Sequence, residues 1–417
     1  MQLRNFTLFL LALLMTATTA VAQQTSKSKA SKVKVVREKE GDYRAMILKY
    51  EQGELGDPES FSPVLQRQIA ESYLATRDYA KALPWYAKLI QADDDPTLML
   101  TYGELLQING MCTQAVNYFK GYDRAHPEDG RGKAKAAACT EATEYAYSPA
   151  QVDFKHLSHP VSTPNFESVP APTPDGVIYS SSIYIDKESD ETRTILLAAK
   201  PKADGSFEEI KPYSLLLNRQ SDKGGMAVSK DGRRIYITGR DIKRRGQPTT
   251  LKIFTARRGR VDFQDVLSLP LNSDQYNTSD PHLSDDEKTL YFASDRPGGL
   301  GGFDLYKSEY RDGKWQDPVN LGPEVNTAGD ERAPVVDGTT LYFSSNGHAG
   351  MGAMDLYQAE IGNDGKAGKA VNMGTPFNST HDDLSINWLP GGKRGYVVSA
   401  RPGGAGEDDV YYFEVKE

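Results

Sequence analysis

Two rhythms of apolar residues divide the chain. From Asp42 to Tyr147 the apolar and small positions recur with a helical period. Ala70, Tyr73, Ala82 and Tyr86 return 33 residues later as Gly103, Leu106, Ala115 and Phe119. Small residues where two helices touch, with aromatic or long ones beside them, predict stacked helical hairpins. A helix over Tyr43–Gly53 and an Ala-rich one over Gly132–Tyr147 are expected to close the stack, because end repeats need polar outer faces. Pro96 reads as closing the first copy late, and Pro127 as closing the second.

From about Gln151 the pattern shortens to that of strands. Three segments say nearly the same thing: Leu290-Tyr291-Phe292-Ala293-Ser294 leading to Asp304-Leu305-Tyr306, Leu341-Tyr342-Phe343-Ser344-Ser345 leading to Asp355-Leu356-Tyr357, and Gly395-Tyr396-Val397-Val398-Ser399 leading to Asp409-Val410-Tyr411. The step from Tyr to Asp is 13 residues each time. Weaker copies carry Asp231-Gly232 before Tyr236 and Asp175-Gly176 before Tyr179. The five Tyr marks are 57, 55, 51 and 54 residues apart. Each unit has a tight Asp-Gly type turn, a buried β-branched and aromatic run, and a glycine break. A repeated strand unit of this length is a propeller blade, so a five-bladed β-propeller is expected. Val152–Leu157 resembles Val319–Gly322, an outer strand without a blade of its own. The last strand, Tyr411–Val415, lacks a partner. Pairing the two ends closes the ring and hides two edges. The expected class is therefore α plus all-β, with a short α-solenoid at 41–148 and a propeller at 149–417.

Charge and termini add a compartment. The formal net charge is -8, with no basic surface to suggest nucleic acid. Arg4, the apolar run Phe6–Met15 and Ala20-Val21-Ala22 read as a secretory signal peptide over 1–22. No Cys follows the small residues, so a lipoprotein anchor is not expected. No other apolar run approaches the length of a membrane helix. Residues 23–40 are polar and basic, with Lys27, Lys29, Lys32, Lys34, Arg37 and Lys39. They read as a solvated, disordered leader, or else as an electrostatic foot on an anionic membrane face. The only cysteines, Cys112 and Cys139, fall on adjacent antiparallel helices. In an oxidising compartment they could pair, the alternative being two small buried hydrophobes.

No reactive constellation is present. Gly-x-Ser-x-Gly is missing. Gly298-Gly299-Leu300-Gly301-Gly302 lacks the Lys-Ser/Thr and helix of a phosphate cradle, and reads as a turn between strands. His156 and His159 would face opposite sides of a strand, and His126, His282, His348 and His381 have no partner at zinc spacing. No cofactor or metal is expected. Asp280, Asp330 and Asp382 recur before the strand that leads to the Tyr, and Asp304, Asp355 and Asp409 before the next strand. Such a ring could bind a cation or a basic peptide. The local reading is that each carboxylate accepts backbone N–H groups or pairs with its own Arg296 or Arg401. Lys252 stands at the Asp304 position of blade two, which favours the local reading.

The string Ser294-Asp295-Arg296-Pro297-Gly298-Gly299 … Asp304-Leu305-Tyr306 resembles the WD40-like propeller repeat of TolB and of Bacteroidota envelope proteins. The helical copies match the tetratricopeptide pattern. The order of signal peptide, tetratricopeptide repeats and propeller also resembles PorE-like proteins, periplasmic partners of type IX secretion at the outer membrane. Members commonly continue into an OmpA-like peptidoglycan-binding domain, which is not expected here. The resemblance implies a non-enzymatic, periplasmic interaction protein whose partners are envelope or secretion proteins. A carbohydrate- or peptidoglycan-binding propeller is the first alternative, and a propeller hydrolase or lyase the second.

Overall fold

A computed structural model describes residues 40–93, 95–147, 152–163, 166–186, 191–219, 224–240, 250–406 and 408–416. The expected signal peptide and nearly all of the basic leader lie outside the described residues. The described chain has six α-helices followed by five sheets.

The helices are α1 (Glu40–Glu51), α2 (Pro63–Ala75), α3 (Tyr79–Ala92), α4 (Pro96–Ile108), α5 (Cys112–Ala125) and α6 (Arg131–Tyr147). Ser62, Asp78 and Asp95 cap α2, α3 and α4, each accepting a backbone N–H of the first turn. Pro96 thus opens α4 and does not close the preceding repeat. At a first helical position its missing N–H costs nothing and its fixed φ suits the helix. The repeat marks Ala70, Tyr73, Ala82, Tyr86, Leu106, Ala115 and Phe119 are all buried. Gly103 is small because a Cβ there would stand 2.6 Å from the Phe119 ring. Tyr50, Phe61, Tyr73 and Trp85 form an aromatic cluster, with Tyr50 edge-on to Trp85 at 5.3 Å. Cys112 and Cys139 are bonded across α5 and α6.

Each blade is an antiparallel sheet whose first strand lines a central channel. Blade one has Ala171–Thr173, Gly176–Asp186, Glu191–Pro201 and Phe207–Pro212. Blade two has Met226–Val228, Arg234–Arg240, Leu251–Arg258 and Phe263–Ser268. Blade three has Thr278–Leu283, Thr289–Ser294 and Asp304–Arg311, with a split outer edge of Lys314–Trp315 and Val319–Asn320. Blade four has Glu331–Asp337, Thr340–Ser345, Asp355–Glu360 and Val371–Asn372. Blade five has Asp383–Trp388, Arg394–Ser399 and Asp409–Val415. Its fourth strand is Val152–His156, paired from Val152↔Val415 to His156↔Tyr411. The two chain ends therefore close the ring.

The closure copies the geometry of an ordinary blade. Leu157 N–H donates to Val410 O at 2.9 Å, as Leu321 does to Leu305 O and Met373 to Leu356 O. In blades one to four an Asn bridges the third strand: Asn218, Asn272, Asn326 and Asn378 accept from the N–H of Leu196, Ile253, Leu305 and Leu356 and donate back to the same residue's carbonyl. In blade five Ser162 Oγ takes the acceptor role for Val410. These clamps fix the alignment of the blades.

By that alignment one Tyr mark moves. Tyr236, Tyr291, Tyr342 and Tyr396 pair with the residue two beyond the clamped one. In blade one that partner, Ala198, pairs with Ile178, and Tyr179 pairs with Leu197. A one-residue slip turns a side chain to the opposite face of a sheet. Tyr179 accordingly packs toward blade five, in a cluster with Tyr396, Val398 and Tyr412.

Candidate functional site: the two mouths of the channel

Antiparallel order sends the loops to two ends of the channel. Among the described residues, the loops between second and third strands of blades three to five, with the repeated Gly runs, fall at one mouth. The tight turns between first and second strands fall at the other. The helices rest on the first mouth. Tyr79 donates its hydroxyl to Asp382 Oδ2 at 2.8 Å, and Gln107 donates to Gly350 O at 2.8 Å. Arg77, in the turn between α2 and α3, pairs with Asp382 at 3.4 Å and with Asp408.

The repeated aspartates stay within their own loops. Asp304 accepts from Leu300 N at 2.6 Å, Gly301 N at 3.2 Å and Asn320 Nδ2 at 2.9 Å. Asp355 accepts from Gly352 N at 3.0 Å. Asp409 accepts from Ala405 N at 2.8 Å and Gly406 N at 3.2 Å, and His156 lies 3.5 Å away, in the place Asn320 holds beside Asp304. All three are buried. Each presses on a glycine: a Cβ at Gly299, Gly350 or Gly404 would meet the carboxylate at 2.3, 1.9 or 1.8 Å. The Asp thus ties off a loop that only glycine lets approach so closely. Lys252 stands at the matching position of blade two, one residue before the clamped Ile253, and pairs with Asp274.

The arginines depart from the expected pairing. Arg401 pairs with Asp383 at 2.7 Å, not with Asp409. Arg296 binds Ser294 Oγ and Leu271 O and lies over the rings of Tyr276, Phe292 and Tyr306. The first set of aspartates is less regular than its recurrence once per blade suggests. Asp330 and Asp382 are true counterparts, accepting from Phe303 N and Met354 N. Asp280 is not. It sits further along its strand at the bulge, with φ +54, as Ala333 does in blade four. There it pairs with Arg332 at 2.7 Å.

Burial has shifted several acids at this mouth. Glu331 and Glu167 are each pushed up to about 7 by desolvation, although hydroxyls and backbone N–H groups of Thr163, Ser181, Thr327 and Ser345 bind them. Asp355 rises to about 8, first through burial and then through the nearby Asp383.

The other mouth is left uncovered by the helices. It holds a hollow of about 470 Å³ whose walls include Met226, His282, Val336, Trp388 and Leu389. Asp285, Glu287 and Asp337 stand at its rim, with Lys230 held by Asp285 at 3.4 Å. His282 shares a hydrogen bond of 3.0 Å with Val336 O, and burial pulls its pKa down to about 4. The indole N–H of Trp388 is buried without an acceptor among the described residues. None of these residues stands out by repetition. The only sequence signal was the position of Trp388 and His282 on first strands. Among the described residues no cluster of His, Cys, Asp and Glu is arranged to hold a metal ion. No helix among them is long and apolar enough to cross a membrane.

No protein-family model matches the chain, and no curated protein does. Solved structures resemble it distantly. A TolB protein from Agrobacterium tumefaciens shares 16% identity over 62% of this chain and 80% of its own, at a TM-score of 0.38. A thermostable family-43 glycoside hydrolase shares 13% over 62% and 91%, at 0.40. A family-32 β-fructofuranosidase of Bombyx mori shares 13% over 67% and 65%, at 0.38. By its own elements and strand order the chain is a helical array followed by a five-bladed propeller. These neighbours include enzymes and non-enzymes, and they carry nothing about the ligand.

Proposed function

We propose that the protein is a non-enzymatic binding scaffold of the cell envelope, exported to the periplasm, whose open channel mouth receives a partner protein of an envelope or secretion complex. The type IX system is the candidate complex, on the motif resemblance given above. One observation carries the reading: the mouth left uncovered by the helices has apolar walls and an acidic rim, which suits an apolar side chain flanked by basic ones. The disulfide agrees with an oxidising compartment. The repeated aspartates are engaged in holding loops and so are not spare catalytic acids. Reversing rim charge with Asp337→Lys and Glu287→Lys tests this. Cross-linking in envelope preparations should lose its protein adduct while the melting temperature stays put. An unchanged adduct would contradict the reading.

A second reading, a glycan- or peptidoglycan-binding propeller, is favoured by the polar side chain of Asn387 in the wall of the same hollow. It requires that the protein cosediment with purified sacculi and that Asn387→Ala abolish this.

A further inference from the structure

Arg77 is where the two modules meet. It stands at φ +58 in a two-helix turn, a left-handed conformation that disfavours any residue but glycine. Its guanidinium enters the covered mouth between Asp382 and Asp408, both buried. Buried carboxylates need a cation or they are expensive to keep. Here the cation comes from the other module, as the planar group best matched to carboxylates. The rest of the contact includes Tyr79 on Asp382 and beside the His381 ring, Gln107 on Gly350 and Met351, and Ala353 against the helical core.

Two hollows flank Arg77. Behind it lies a chamber of about 410 Å³ walled in part by Glu167, Asp280, Asp330 and Arg332. Before it a hollow of about 310 Å³ runs between the helices and blade four, past Thr101, Glu104 and Asn346. The chamber's own Arg332 is already paired with Asp280. Asp382 and Asp408 are therefore left to the cation that arrives from outside the propeller.

We propose that the covered mouth is a recognition site for a guanidinium, that Arg77 fills it as an internal ligand, and that the helical array is thereby a lid which an arginine-bearing segment of a partner protein can displace. The flanking hollows give such a segment its way in and its room. The proposal goes beyond the partner of the open mouth and stands whatever that partner is.

The test uses the full chain and two probes, N-acetyl-arginine amide and its neutral counterpart N-acetyl-citrulline amide, titrated calorimetrically. Arg77→Ala should bind the arginine probe at least tenfold more tightly than the unaltered chain does. It should prefer that probe over the citrulline probe by tenfold or more. Adding Asp408→Asn should erase the gain. Arg77→Gln serves as a second variant should Arg77→Ala fail to fold. Hydrogen exchange in the 350–354 and 380–383 loops should quicken in either variant and slow again with the arginine probe. Equal affinity of variant and unaltered chain, equal affinity for the two probes, or a gain that survives Asp408→Asn would each overturn the proposal. Unchanged exchange would overturn the lid.

Discussion

The two mouths of one channel are built on opposite plans. The covered mouth carries the long loops, the repeated aspartates and the acids that burial raises, Glu167, Glu331, Asp355 and Asp383. The open mouth carries tight turns and a handful of apolar residues that occur once each. Repetition marks what every blade must do to fold, so it points to the covered end. A binding surface is made once, from unlike residues on different blades, and it leaves no period in the sequence. The most visible motif in the chain is thus a structural device, and the best candidate site lies at the far end of the channel.

The contrast depends on a closed ring, and removing the closure should have the largest effect. Deletion of residues 152–157 removes the fourth strand of blade five with all five of its pairs. It uncovers Val410 and Tyr411 on a sheet edge. Both mouths should be lost together, seen as aggregation and the absence of a cooperative thermal transition. A soluble variant that melts normally would show that the closure is dispensable.

Breaking the disulfide should affect one side only. Cys112 and Cys139 are 27 residues apart, for which loop entropy gives roughly 3.5 kcal/mol. Cys112→Ala should lower the first thermal transition, that of the helices, and leave the propeller's own transition in place. Loss of both together would mean that the modules unfold as one.

Asp304→Ala sharpens the contrast within the propeller. Removing a buried acceptor from Leu300, Gly301 and Asn320 should cost about 1–3 kcal/mol, read as a lower denaturation midpoint. Partner capture by the open mouth should persist. A variant with an unchanged midpoint but lost capture would make the acidic ring the site.

The smallest effect is on pH. The Glu331 carboxyl is raised from the usual carboxylate range to about 7, so the folded chain holds a proton that the unfolded chain has released. Its contribution is complete below about pH 4.5 and is lost as pH rises through 7. Glu331→Gln should therefore flatten the fall in stability between pH 5 and 8, by on the order of 1–3 kcal/mol. His282, shifted the other way by burial, is common to both chains and cancels. Parallel pH curves would show that Glu331 is ionised in the folded state.

The ring, its five blades and its closure were legible because strands that repeat must bury repeated side chains. The limits of that reading are specific. Tyr179 carries the motif, but a one-residue slip in the long strands of blade one turns it away. Asp280 precedes its strand as its supposed counterparts do, but it falls at a bulge and has a different role. The Asn clamp recurs at Asn326 and Asn378, 52 residues apart in the sequence. It escapes notice because it sits outside the apolar runs. The seating of the helices on the propeller was not legible at all. It rests on Arg77 and Tyr79 meeting Asp382 some 300 residues later, and no local pattern announces such a contact.

The central claim is that a partner protein enters at the open mouth. A photocrosslinking residue placed at Leu389 on the open rim, and in a second chain at the exposed Val371 on the outer strand of blade four, tests it within intact envelopes. A discrete protein adduct from Leu389 with none from Val371 is the predicted result. Adducts of equal yield from both positions, or only glycan from Leu389, would contradict it.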